Sequence, residues 1–178
     1  MERATTVAAP DRTSNFARWS LQRLNIQGYG ALSYDQRRSV SLGLRLTTGL
    51  CMTAFLAALV AGSAVALGAL VPIALIGGLT PRHPVDFVWQ YAVRHLVGGS
   101  PLPPNPPERR LAFLIAAPCV LLVAGLVGLG WTIAAYIVAA PLLVACATVT
   151  LTHLCLPGTA VALARGRLKA LWCEVPAR

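Results

Sequence analysis

Two long stretches of this 178-residue chain, 46–81 and 111–164, contain no Asp, Glu, Lys or Arg; every such residue lies outside them. The hydrocarbon core of a bilayer is about 30 Å thick, so a helix rising about 1.5 Å per residue needs about 20 apolar residues to cross it. The first stretch is long enough for two short spans with a tight turn, and the second for two longer ones. The pattern predicts spans at 46–62, Ala64–Leu79, 111–129 and 131–156. Ala54, Ala58, Gly62 and Ala66 recur every four residues and offer a smooth stripe for helix packing. Ala124 with Gly128, and Ala135 with Ala139, offer smaller patches. Pro72, Pro118 and Pro141 should kink their spans, because the ring removes a backbone hydrogen bond. The last span, being longest, should tilt, and Pro157-Gly158 ends or bends it.

The polar sequence between these blocks has its own pattern. Residues 1–13 are short of apolar periodicity and read as disordered. In the segment 14–45, Phe16, Trp19, Leu21, Leu24 and Ile26 interleave with Arg18 and Arg23, as in a chain lying on the cytoplasmic membrane surface. Gly28-Tyr29-Gly30 interrupts it, and Ser33 is placed to cap a short helix at 34–44 that leads into the first span. In the central linker, 81–110, Pro84 suits a first helical turn. Asp86, Gln90 and Arg94 then fall four apart, on one face of a helix reaching Val97. Val85, Val88, Trp89, Ala92 and Leu96 take up much of the remainder, so this helix should lie in the interface or under the spans. Gly98-Gly99 stops it. Residues 100–107 hold five prolines, a stiff polyproline-like strut that returns the chain to Arg109-Arg110 at the mouth of the third span.

The expected fold is therefore all-α and integral to a membrane: four transmembrane helices in two hairpins, joined by an interfacial amphipathic helix and a proline-rich strut. The parts are a disordered N-terminus (1–13), a surface segment (14–45), a first hairpin (46–80), a linker (81–110), a second hairpin (111–157) and a tail (158–178). Composition agrees, with 56% hydrophobic residues, 12% charged and a mean hydropathy of +0.66. Charge adds the orientation. Of 15 Lys and Arg, seven precede residue 46, four lie in the linker and four in the tail, and the two hairpin turns have none. Positive loops stay cytoplasmic, so both termini and the linker should face the cytoplasm. The net charge of +9 is this flanking pattern; no aromatic–basic interleaving suggests nucleic acid. Met1 leads into Arg- and Thr-rich sequence, which argues against a cleaved signal peptide. Cys51, Cys119, Cys146, Cys155 and Cys173 form no Cys-x-x-Cys pair and read as small buried hydrophobes in a reducing setting.

Several motifs resemble one family. Gln27-Gly28-Tyr29-Gly30, His83-Pro84-Val85-Asp86, Arg94-His95-Leu96, Pro101-Leu102-Pro103-Pro104-Asn105-Pro106 and Arg109-Arg110 are similar to those of small four-span bacterial membrane proteins catalogued as a domain of unknown function. The resemblance runs over about 25–158, ending at Thr152-His153-Leu154-Cys155-Leu156-Pro157. Trp89-Gln90 departs from it, standing where Tyr-Asn is expected. It implies four spans in a bacterial inner membrane and supplies no reaction.

Candidate chemistry is sparse. His153, beside Thr148, Thr150 and Thr152, is the residue that could ligate a haem or chlorophyll-type pigment; the plainer expectation is a neutral histidine bonded to a helix carbonyl or a threonine, with no cofactor and no metal site. Asp86, Arg94 and His95 form a compact polar constellation, read as an intra-helix network suited to the macrodipole rather than a proton or anion site. His83, between two prolines, reads as a cap or surface residue. Trp19, Asp86, Trp89, Tyr91, Arg94, Arg109 and Arg110 are the expected contacts to lipid or partner, with Trp172 as a further interfacial aromatic. No catalytic residues stand out: the spans lack the charges a transporter or enzyme wants. The expected role is a non-catalytic accessory or scaffold subunit of a larger membrane complex, with energy-transducing assemblies (respiratory or photosynthetic) as the type. The alternatives are a small oligomeric transporter or channel, and a pigment- or haem-binding subunit using His153. Partners are membrane lipids and other integral membrane proteins.

Overall fold

The computed structural model describes residues 15–164. The disordered segment expected at 1–13 and the tail carrying Trp172 and Cys173 lie outside them. Among the described residues every regular element is helical and there is no strand. In chain order these are α1 (Asn15–Gln22), a 3-10 turn (Arg23–Asn25), α2 (Tyr34–Val60), α3 (Ala64–Leu79), α4 (86–97), α5 (Pro107–Gly128), α6 (Thr132–Thr152) and α7 (Leu156–Ala164).

Among the described residues three helices are long and apolar enough to cross a membrane: α2, α5 and α6. Helix α3 is also apolar but has 16 residues, about 24 Å at the usual rise.

Local chemistry explains the helix ends. Ser33 and Gln36 form a reciprocal capping box, the Ser33 hydroxyl accepting from the Gln36 N–H while the Gln36 side chain accepts from the Ser33 N–H. The helix that follows runs unbroken to Val60, so the separate helix expected at 34–44 is the first third of one long α2. Both tight turns place a glycine in the left-handed region, Gly62 at φ 60 and Gly130 at φ 77, where a side chain would be strained. Ser63 then caps α3 through the Ala66 N–H. Helix α5 opens on Pro107, a position where the missing N–H costs nothing.

The most extensive contact is between α3 and α5, with α5 on α6 and α2 on α6 next. Gly77 and Gly78 permit the closeness beneath α3: an added Cβ at Gly78 would lie 2.6 Å from Leu114, and one at Gly77 would lie 1.9 Å from His83. Phe55, Leu59, Leu67, Val120, Val123, Ala135 and Ala139 fill the core at the turn end. A second core, under the linker, joins Leu21, Leu24, Tyr29, Val40, Leu44, Trp89 and Leu102. Of the expected packing stripe, Ala58 is buried and Ala66 half-buried, whereas Ala54 and Gly62 face outward.

Two stretches depart from the pattern in the sequence. Helix α4 contains a π-turn at Trp89–Val93, whose wider winding shifts every later residue around the axis. Helix α6 stops at Thr152, not 156, because His153 takes a left-handed conformation at φ 57 and ends it. Helix α7 then packs back against α5.

Candidate functional site

The linker folds back beneath α3 and meets α2, α5 and the Gly28 turn in a knot of buried polar groups. Asp86, 5% exposed, is its centre. The Thr47 hydroxyl of α2 donates to Oδ1 at 2.7 Å. The His83 backbone N–H and the Asn105 amide both donate to Oδ2 at 2.9 Å. Three donors for one carboxylate is the arrangement that makes a buried anion tolerable. The line continues: Asn105 Oδ1 accepts from the Tyr29 hydroxyl at 3.2 Å, and the Tyr29 oxygen accepts from Arg109 at 3.4 Å. Arg109, 4% exposed, also donates to the Leu44 carbonyl at 3.4 Å. Burial pushes the Tyr29 phenol above its ordinary value, against the pull of Arg109, so it stays a donor to Asn105. A backbone bond from the Asn105 N–H to the Pro81 carbonyl, 2.7 Å, closes the strut onto the end of α3.

His83 completes this layer. It is 1% exposed, not on the surface as its prolines suggest, and its ring stacks 4.4 Å from Phe113. Its Nδ1 accepts from the Val85 N–H at 3.2 Å, so the neutral ring carries its proton on Nε2. Desolvation lowers its pKa to about 4; nearby Asp86 opposes this and Arg109 reinforces it. Above the ring lies a small apolar cavity of about 90 Å³ bounded by α2, α3, α5 and α6.

A second cluster seats the N-terminal segment. Arg45 donates from Nε to His153 Nε2 at 3.0 Å, and from its terminal nitrogen to the Ser20 hydroxyl at 3.0 Å and the Leu151 carbonyl at 3.2 Å. Gln27 donates to the His153 carbonyl at 2.7 Å. A cation thus sits at the carbonyl end of α6, where the helix dipole favours it. His153 is 1% exposed and held neutral, its pKa lowered to about 3 by burial, then by Arg45 and Arg109. The Nε2 lone pair that a haem iron or pigment magnesium would take is occupied by Arg45.

These positions show what the sequence brought together and what it did not. Asp86, Arg94 and His95 are not one constellation: the π-turn leaves Arg94 half-buried, bonded to an exposed His95 at 3.2 Å, away from the Asp86 knot. Trp89 is not interfacial but 1% exposed, donating to the Ser100 carbonyl at 3.0 Å with its ring against Gly43 and Gly99. Arg109 is inside the knot, whereas Arg110 caps α3 through the Gly78 and Leu79 carbonyls at 3.0 and 2.5 Å. Trp19, stacked on Phe16 with Arg23 4.7 Å over its ring, and Tyr91, stacked on Phe87, do lie outside. Thr47, Ser20 and Arg45 carry no sequence signature, since an isolated hydroxyl or one basic residue among several flanking a span does not stand out, and Gln27 stands in a motif without a role that its neighbours reveal. Tyr29 and Asn105 have a signature, as the central residues of Gly-Tyr-Gly and Pro-Asn-Pro.

A family comparison covers the second of those motifs and begins after the first. Residues 41–164 match the domain of unknown function DUF4395. The chain belongs to this family. No curated protein and no solved structure matches it. Within the DUF4395 region lie Thr47, His83, Asp86, Asn105 and Arg109 of the knot, together with Arg45 and His153; Tyr29, Gln27 and Ser20 come from before it. Among the described residues no three His, Cys, Asp or Glu side chains converge to hold a metal ion.

Proposed function

We propose that this DUF4395 protein is a non-catalytic accessory or scaffold subunit of a larger complex in a bacterial inner membrane. In this proposal it spans four times, with both termini cytoplasmic, α3 serving as a short fourth span. The observation that carries the role is how little of the apolar helices the chain covers for itself. Only 11% of the most apolar window of α6 is buried, against 22% in α5 and 33% in α2. Ile133, Ile137 and Val144 make an outward ridge along α6, with the smaller Ala140 among them. The polar groups, by contrast, are turned to each other. Thr48, Thr53, Thr148, Thr150 and Thr152 each bond to the carbonyl four residues earlier in their own helix, and the Asp86 knot is spent on joining the linker to the bundle.

The polarity of α4 supports a membrane setting for the linker as well. Asp86 and Trp89 point inward, while Phe87, Val88, Tyr91, Leu96 and Val97 are 43–85% exposed. A helix that buries its carboxylate and shows its apolar side is inverted for water and suited to lipid. Thr47, which holds Asp86, lies 13 residues before Val60, about 20 Å along α2. Set against a core of about 30 Å, this length supports a knot lying toward the linker-side face of the bilayer.

The test is the particle mass and composition after extraction from the native membrane in a mild detergent, for the wild type and for Ala140→Trp. A stoichiometric assembly that the wild type joins and the variant leaves, while still folded, supports a subunit docked through α6. Lipid would absorb the extra ring, so unchanged behaviour as an isolated monomer or homo-oligomer overturns the role and turns attention to flux through reconstituted protein. A reporter fused after Arg178 tests orientation; a periplasmic signal refutes the cytoplasmic termini.

A further inference from the structure

The cavity above His83 has a composition that restricts what can occupy it. Phe55, Phe113, Leu142, Cys51 and Cys146 are among its walls, and no Asp, Glu, Lys or Arg lines it. Its polar features are the imidazole and the Thr48 hydroxyl, whose own hydrogen goes to the Leu44 carbonyl. Because Nδ1 is committed to the Val85 N–H, the proton sits on Nε2, which meets no acceptor among the described residues. A buried donor left unmade is costly, whereas one that finds an acceptor contributes. Water is a poorer occupant: beyond His83 and Thr48 the walls offer only thiols and hydrocarbon, the minimum of the two to four polar partners a stable buried water needs. An ion is excluded by the cost of placing charge among apolar walls. On its linker side His83 adjoins Asp86, whose carboxylate takes both the His83 backbone N–H and the Asn105 amide.

We propose that this cavity binds a small neutral molecule, apolar apart from one acceptor oxygen such as a ketone or aldehyde carbonyl, which enters from the bilayer and accepts the His83 Nε2–H. At about 90 Å³ the cavity is smaller than the engineered one of about 150 Å³ that takes benzene, so an occupant has about five heavy atoms, or is the carbonyl-bearing end of something larger. This site is independent of whether the chain works within an assembly.

The experiment uses the full chain in lipid nanodiscs with 15N-histidine, following the His83 Nε2–H resonance, assigned by its loss in His83→Phe. Two probes of one shape are titrated: 2-butanone, and 2-methyl-1-butene, which replaces the carbonyl oxygen by a methylene. The expected result is a saturable shift with butanone and binding about tenfold weaker with the alkene. Ala116→Leu, which fills the cavity from α5, should abolish the shift. Ala74→Val, a milder filling from α3, should weaken it and serves should the first variant misfold. Ala54→Leu, on an outward face, should change nothing. The proposal is overturned by a linear drift equal for both probes, which is partition into lipid only. Equal saturable affinities also overturn it, since a void without recognition behaves that way.

Discussion

At the turn end of the bundle, Phe55, Leu59, Leu67, Val123 and Ala135 interlock without a single Asp, Glu, His, Lys or Arg nearby in sequence. At the linker end, Asp86, Arg109, Tyr29, Asn105, Thr47 and two imidazoles are packed as tightly and almost as dry. The two ends teach different lessons about what holds helices together. In the proposed membrane setting, apolar side chains gain little by leaving lipid for one another, and packing supplies dispersion contacts and shape. Hydrogen bonds among buried polar groups are directional and leave costly orphans when broken. The turn end should therefore forgive truncation more readily, and the linker end should fail sharply.

Removing the carboxylate gives the largest expected contrast. Asp86→Ala strips the His83 N–H and the Asn105 amide of their acceptor and leaves Thr47 only the Gly43 carbonyl, a loss of about 1–3 kcal/mol for each donor left unpaired. Leu67→Ala, fully buried at the other end, should cost clearly less in the same detergent denaturation series; equal losses would break the comparison. Glycines sharpen it next. Gly77→Ala drives a methyl group into His83, an overpacking cost of about 1–3 kcal/mol, whereas Gly68→Ala, with nothing within 4 Å, should stabilise α3 by up to about 1 kcal/mol. Unfolding curves for the pair should move in opposite directions.

Acid is a gentler probe of the same difference. Both linker-end imidazoles are held neutral when folded, so below their ordinary value of 6.5 the unfolded chain binds protons the folded one refuses. Their contribution is intact above pH 6.5 and is lost as pH falls toward about 4 for His83 and about 3 for His153. Hydrogen exchange at pH 7 and pH 5 should accelerate at the linker end and leave the turn end unchanged once intrinsic rates are divided out. The smallest effect is at the start of α2: Ser33→Ala removes a capping box worth about 1 kcal/mol, read as fraying of the first turn.

Helix content was legible because it is local. The bounds of α3 coincide with the expected 64–79, and Ser33, Gly62, Ser63 and Pro107 mark ends by chemistry that their own neighbours reveal. What escaped was set by distant residues. Nothing near position 153 announces that α6 ends there; the partners that fit its left-handed turn are Gln27 and Arg45, 126 and 108 residues earlier. Trp89 looks interfacial by composition, but the π-turn and the bare backbones of Gly43 and Gly99 make an internal slot for it. In the candidate site, Asp86 was visible as the lone acid of its helix. Its true partners come from three other segments and could not be read from a four-residue spacing.

The clasp of Gln27 and Arg45 on residues 151–153 also has a consequence for biosynthesis. A ribosome delivers residues 27–45 well before α6, yet the carbonyls and imidazole they grip belong to that later helix. Until that helix is made, Gln27 lacks the His153 carbonyl and Arg45 keeps only Ser20. The earlier segment is seated after the later helix, so its protection from a protease reports that α6 is in place.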